Sequence, residues 1–398
     1  MEKIVSLAKR RGFMYPGSEI YGGFSGFWDY GPLGVELKNN IKQLWWRMFV
    51  QERDDMCGLD AAIIMNPRAW EASGHVSGFA DPMDDGRQFN TMFQTSVGAG
   101  AEATTSYLRP ETAGGIFVNF KNIVDSIHPK LPFGIAQIGK AFRNEIAPRD
   151  FIFRSREFEQ MEIEYFVEPD AWKDAFEQWR TEVFRFIDAI GISRDATHEL
   201  EVQDADRAHY SKRTIDFEFD FPFGRKELFG LAYRGDFDLA AHGNGSGVAL
   251  SYLDETAQAR LTPHVIEPSF GVERALLAVL VSAYTEDELG GEPRTYLKFN
   301  KAVAPIKAAV FPLLKNKPEL VAKAREVYSM LKKTVPQIMW DDNGNIGKRY
   351  RRQDEIGTPA CITIDFQTLE DSTVTVRDRD SGGQERVAIS EVVASLTL

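Results

Sequence analysis

Cysteine is nearly absent from this chain, with Cys57 and Cys361 the only two in 398 residues. That excludes a disulfide framework and a thiolate zinc site, so no structural zinc is expected and both thiols read as small buried side chains. The six histidines are scattered, and His75 and His242 read as structural hydrogen-bonding residues rather than ligands. No window approaches a membrane-spanning apolar run, and the N-terminal MEKIVSLAKRRGF lacks the apolar core of a signal peptide, so a cytoplasmic protein without a membrane partner is expected. There is no GxxxxGK[ST], internal repeat or low-complexity tract, which excludes a Walker-type phosphate loop. GNGSG at 243–247 matches no phosphate fingerprint well and reads as a flexible turn. Positive charge is also in deficit, and the net charge of -12 argues against a general polyanion binder. The average conceals an asymmetry. Residues 298–398 carry 16 Lys and Arg against 13 Asp and Glu, which makes this tail the less repulsive part for a polyanion.

What is present is concentrated in FRNEIAPRDFIFRSREFEQMEIEYF, residues 142–166. As an antiparallel hairpin it puts Arg143 and Glu145 together on one strand and lines Arg154, Arg156, Phe158, Gln160 and Glu162 along the other. Arg is a bidentate phosphate ligand, Phe stacks on a purine and Glu accepts from an exocyclic amine, so the hairpin could be a nucleotide platform. Alone, it reads slightly better as a charged surface hairpin. The balance shifts with VIEPSFGVER at 265–274, where an apolar strand delivers Glu267 and Ser269. Gly271 is expected to let the chain turn tightly so that Arg274 begins an apolar helix through Leu280.

Elsewhere, Leu33, Leu37, Ile41, Leu44, Trp45, Met48 and Phe49 recur at helical spacing, which predicts one helix to about Arg53. A strand is expected over 59–65, ended by Pro67. Further strands are expected at 135–142, 151–166, 215–221, 227–233 and 265–269, with helices at 112–122 and 171–189, the signature of an α+β core. The polar segment 285–296, with Gly-Gly and Pro, reads as a linker. Beyond it strands at 303–311, 337–340 and 360–364 alternate with helices at 318–333 and 346–355, which predicts a small, mostly parallel α/β domain.

FRNE with REFEQMEIE resembles motif 2 of the class II aminoacyl-tRNA synthetases, and VIEPSFGVER resembles their motif 3. The helix, strand and proline at about 32–67 resemble motif 1. EPSFGVER, LRPETAGG (108–115), IYGGFSGFWDYGPLG (20–34) and WEASGH (70–75) resemble the homodimeric, glycine-specific family within that class, in that family's order and from about residue 5 onward. The resemblance implies an antiparallel-sheet catalytic core over 1–290, with motif 2 at about 138–166 and motif 3 at about 265–280, and a C-terminal α/β anticodon-binding domain over 298–398. It implies ATP-dependent attachment of glycine to tRNA(Gly) through an adenylate, in a homodimer, with Mg²⁺ accompanying ATP.

Carried over by motif, the catalytic residues are Arg143 on the α-phosphate and Arg274 on the γ-phosphate. ATP is expected to meet these two and Asn144, Glu145, Phe153, Arg154, Ser155, Arg156, Glu157, Phe158, Glu227, Leu228, Gly271, Val272 and Glu273, with Glu227 near Mg²⁺. Glycine is expected to meet Glu111, Phe158, Gln160, Glu162, Arg234, Glu267 and Ser269, and tRNA to meet Lys348, Arg349, Arg351 and Arg352. Two departures stand out. Phe229 occupies a position where Glu is usual, and the chain passes directly from Pro82 to Phe89 where many relatives insert a module that approaches the acceptor stem. Another class II synthetase, or a non-catalytic paralogue, remains open at this point.

Overall fold

Strands rich in β-branched and aromatic residues assemble a seven-stranded sheet, because such side chains fit a pleated surface that is buried on both faces. The computed structural model describes residues 1–83, 85–208, 210–254 and 258–396. In chain order the strands are β1 (Met56–Gly58), β2 (Phe133–Phe142), β3 (Glu157–Val167), β4 (Thr197–Glu201), β5 (Arg213–Phe221), β6 (Gly224–Gly235) and β7 (His264–Gly271). In space they run β4-β5-β6-β7-β3-β2-β1, and every pairing is antiparallel except β1 with β2.

The two-residue period of β3 sorts the layers. Met161, Ile163, Tyr165 and Val167 join the main core, together with residues of helices α2 (Pro32–Trp46), α5 (Trp172–Ala189) and α7 (Val272–Ala283). Gln160, Glu162, Glu164 and Phe166 point the other way, where Phe166 packs with helices α4 (Ala113–Ile127) and α6 (Phe237–Ser246). Helices α1 (Glu2–Arg10) and α3 (Pro67–Ala72) also belong to this part of the chain.

Several expectations change. Helix α2 keeps its apolar stripe but continues as a wider π-type turn over Arg47–Gln51. Residues 59–65 form no strand apart from an isolated bridge between Ile64 and Leu108, and Pro67 opens α3 with Asn66 as its cap. Pro is pre-organised for the first helical turn, which is why it starts an element here instead of ending one. GNGSG lies at the end of α6, not in a flexible turn. A side chain at Gly245 would come within 2.6 Å of Ala72 in α3, so the glycine permits close helix packing.

The expected linker is a hairpin, β8 (Tyr284–Leu289) and β9 (Glu292–Leu297), turned at Gly290 and Gly291, both at positive φ. The tail follows with β10 (Ala308–Pro312), α8 (Pro318–Thr334), β11 (Ile338–Trp340), α9 (Ile346–Ile356), β12 (Ala360–Ile364), β13 (Thr373–Asp378) and β14 (Gln384–Ala388). Its sheet order is β11-β10-β12-β13-β14, parallel on one side and antiparallel on the other, so it is mixed rather than mostly parallel.

The tail is locked to the core. Arg294 of the hairpin is buried and grips Asp287 at 2.7 Å and Asp354 of α9 at 3.4 Å, while Arg377 meets the same Asp354 at 2.8 Å. Asn40 of α2 donates to the carbonyls of Val303 and Ala304, and Gln337 donates to Glu36 and Asn40. Phe299, Val303 and Ala304 belong to the main core cluster. Among the described residues no helix is long and apolar enough to cross a membrane.

Candidate active site

On the face opposite α2, small residues hollow the sheet. Gly230 and Ala232 of β6 lie opposite Ser269 and Glu267 of β7, and Ser269 lies opposite Glu162 of β3. The result is a cavity of about 360 Å³ whose lining includes Glu111, Glu162 and Glu267, with Arg143, Arg274 and Phe158. A wider groove of about 1230 Å³ runs between α2 and the tail, but its charges are dispersed. Of the two, the smaller cavity brings buried carboxylates and guanidinium groups together, and that is where chemistry is expected.

At the arginine end, Arg143 donates from Nε to the carbonyl of Pro110 at 3.0 Å, and its guanidinium sits 5.4 Å from the Phe158 ring centroid. Arg274 pairs with Glu227 at 2.9 Å and lies 4.7 Å from the Phe153 ring centroid. Glu145 accepts from Arg154 at 2.6 Å. The hairpin reading needs correcting here: β2 stops at Phe142 and β3 starts at Glu157, so Arg143, Glu145, Arg154 and Arg156 stand on the connecting loop. Arg156 fastens that loop by donating to the carbonyls of Glu145 and Ser25. Ser155 is buried and donates to the Ile152 carbonyl.

Other expected nucleotide residues are placed differently. Glu157 pairs with Lys140 outside the cavity lining, and Asn144 is held by its N–H on the Thr91 carbonyl. Leu228 and Val272 are core side chains, so neither offers its side chain to a ligand. Gly271 has φ -74°, an ordinary extended conformation, so the turn into α7 does not require glycine. The carboxylate of Glu273 is committed elsewhere: it accepts from Lys38 and Tyr30 and from the N–H of Glu159.

At the carboxylate end, Glu162 accepts from Ser269 at 2.9 Å, from Gln160 at 3.2 Å and from the Thr112 hydroxyl. Glu111 meets His75 Nε2 at 3.4 Å, while His75 Nδ1 is 2.8 Å from Ser73 Oγ, so both ring nitrogens have protein partners. Arg234 differs from expectation. It forms a bidentate pair with Asp238 at 2.7 Å and 2.7 Å and donates to Glu267 at 2.9 Å, with the Tyr210 ring centroid 3.7 Å away. Three of its five N–H donors are spent on these two carboxylates and it lies outside the cavity lining, so in this structure it orients Glu267.

Crowding these acids splits their proton affinities. Burial would raise Glu111, but His75, Arg234 and Arg143 outweigh it and hold the carboxyl down at about 2. Burial pushes Glu267 up to about 8 against the pull of Arg234, with help from Glu162 and Glu111. Burial and Glu111 also raise Glu162. Glu164, buried beneath them without a hydrogen-bond partner, is raised strongly by burial and Glu267.

The sequence reading missed Asp238, Tyr210, Thr112 and Asp216. Asp216 could have been found, since Asp216, Glu218 and Asp220 alternate along β5, with Glu218 opposite Glu227 and Asp216 opposite Gly230. Burial, Glu227 and Glu218 push Asp216 up to about 7. Among the described residues no cluster of three or more His, Cys, Asp or Glu has metal-site geometry.

In the tail, Arg349 is buried and donates to the carbonyls of Pro312, Asp342 and Gly344, so it closes the 341–345 turn and does not face an external phosphate. Arg352 pairs with Asp341. Lys348 and Arg351 line an open surface beside Asn345 and Arg11.

Two family descriptions match the chain: "tRNA synthetase class II core domain (G, H, P, S and T)" over residues 99–283 and "Anticodon binding domain" over 307–397. A protein of Clostridium tetani named glycine–tRNA ligase is 48% identical over 452 aligned positions, covering 99% of this chain and 97% of that one. The chain belongs to the glycine–tRNA ligase family. Ligases of the same name from Macrococcus caseolyticus and Thermobifida fusca are 47% and 46% identical, over 100% and 98% of this chain and 98% and 96% of theirs. Family membership accounts for the antiparallel core and the tail domain together. The alignment with the C. tetani ligase is longer than this chain's 398 residues, so it includes positions that this chain skips.

Proposed function

We propose that this chain attaches glycine to tRNA(Gly) in an ATP-dependent reaction that passes through glycyl-adenylate and releases AMP and diphosphate. The observation that carries the reading is one small cavity lined both by the buried carboxylates Glu111, Glu162 and Glu267 and by Arg143, Arg274 and the Phe158 ring. Activation needs no protein nucleophile. It needs the amino acid carboxylate aligned with the α-phosphate, and cations where charge accumulates on phosphorus. Arg143 meets the α-phosphate, Arg274 meets the γ-phosphate after exchanging its Glu227 partner, Phe158 stacks on adenine, and Glu145 with the 149–156 turn holds the base edge. Glu111, Glu162 and Glu267 surround the ammonium, and Ser269 keeps Glu162 oriented.

ATP is expected with Mg²⁺. Glu227 and Asp216 both line the cavity and would offer oxygen donors to that ion beside the ATP phosphates. The ion would neutralise phosphate charge. Lys348 and Arg351 contact the anticodon arm, with core 1–290 as the catalytic unit and tail 298–398 as the RNA-binding unit. We also propose a homodimer. Trp45 is fully buried in its own core, so the motif 1 helix offers less free apolar surface than its sequence suggests. Support comes instead from Ile20, Tyr21 and Phe24, exposed at 89%, 88% and 66%. A cytoplasmic location fits this reading.

The test is ATP–pyrophosphate exchange with a panel of amino acids. Glycine alone is expected to support exchange, and exchange with another amino acid in its place would refute the assignment.

A further inference from the structure

Behind the sheet, on the face away from the cavity, Lys38 of α2 is 8% exposed and touches both nucleotide-binding motifs. Its Nζ is 2.7 Å from Glu159 Oε2 and 2.7 Å from Glu273 Oε1. Glu273 Oε2 in turn accepts the Glu159 N–H at 2.7 Å, and Tyr30 donates to Glu273 at 3.1 Å while its ring lies 4.1 Å from the ammonium. Lys42 adds a second cation on Glu159 at 3.2 Å. Glu159 directly follows Phe158 and Glu273 directly precedes Arg274. By the strand period Glu159 faces back while Phe158 faces the cavity. The cluster therefore fastens, from behind, the two places where the ends of ATP are held in the reading above.

We propose that Lys38 is a positioning residue for ATP, fixing the offset between β3 and the start of α7 so that the Phe158 and Arg274 contacts stand at one separation. The chemistry suits this. A buried ammonium shared by two carboxylates holds both at short range, and neither acid can shift without losing a charge-assisted contact. Burial lowers the proton affinity of Lys38, but Glu273 and Glu159 overcome that and keep it charged. Displacements of about 1 Å at such a remove cost up to about 100-fold in rate where alignment matters.

The proposal rests on the ATP reading, so Arg274→Ala is measured beside it. The experiment is ATP–pyrophosphate exchange, normalised to active sites, on Lys38→Met and Lys38→Arg. Lys38→Met should lower kcat/KM for ATP by about 10- to 100-fold, with KM for glycine within about twofold of wild type, and Lys38→Arg should recover most of the loss. A merely structural role would reduce the active fraction without separating ATP from glycine. Lys38→Met leaves two carboxylates facing one another and can fail to fold, so Lys38→Met with Glu159→Gln is included. Its melting temperature should return towards wild type while kcat/KM for ATP stays depressed. Wild-type ATP kinetics in a folded Lys38→Met or in the double variant would overturn the proposal. Full exchange by Arg274→Ala would overturn the ATP reading itself.

Discussion

Glycine use by this site should be proton-linked, and the sign follows from Glu267. In the empty pocket its carboxyl is raised from 4.5 to about 8, chiefly by burial, with Glu162 and Glu111 adding to the rise. An ammonium bound there favours the ionised form, so binding below about pH 8 must displace a proton. One displaced proton means that KM for glycine falls about tenfold per pH unit well below pH 8, by about 50-fold between pH 6 and 8, and then levels off. Stability moves in the opposite direction. An acid whose folded-state value is raised contributes stability that is fully present below about 4.5 and lost as pH climbs through about 8. The melting temperature without glycine should therefore fall across that window, while the rise on adding glycine grows. The assay is exchange at saturating ATP over the pH series, below the point where free glycine loses its proton, with thermal melts in parallel. Glu267→Gln should flatten the KM profile at a weaker value. A profile already flat in the wild type would refute the linkage and the placement of the ammonium.

Arg143→Ala and Arg274→Ala should each suppress exchange by about 100- to 1000-fold, corresponding to about 3 to 4 kcal/mol of lost phosphate stabilisation; activity within threefold of wild type would remove the motif assignment. Lys348→Ala and Arg351→Ala should slow tRNA charging, with exchange unaffected, whereas Arg349→Ala should lower the melting temperature by freeing three backbone carbonyls, at about 1 to 3 kcal/mol. Chemical denaturation and charging assays separate the two outcomes. Tyr21→Glu with Phe24→Ser should weaken the dimer, and sedimentation showing a monomeric wild type at micromolar concentration would refute that interface.

The fold was legible where periodicity alone decides. The strands β2, β5, β6 and β7, the helices α2, α5 and α7, and the alternating tail elements all lie close to where the apolar spacing puts them. The mistakes at the charged residues share a cause: tertiary partners that leave no local trace. The segment 285–296 looks like a linker because it is polar, yet its Arg294 is buried between Asp287 and Asp354, and the latter lies about 60 residues along the chain. Arg349 looks like a phosphate ligand because it sits in a basic run, and only the fold reveals that the Pro312, Asp342 and Gly344 carbonyls consume it. Glu273 and Arg234 were read by motif position, which gives the residue but not the direction of its side chain. In the structure both are neighbours' partners, one holding Lys38 and the other orienting Glu267. Such residues are as necessary to a polar pocket as those that touch substrate, since a buried charge left without a partner costs more than most single contacts contribute. A motif match therefore marks the site and overstates the number of residues free to meet a ligand. Substitution separates the two groups: changing an orienting residue such as Arg234 to Gln should move the pH profile and the melting temperature together, while changing Arg274 should move only the rate.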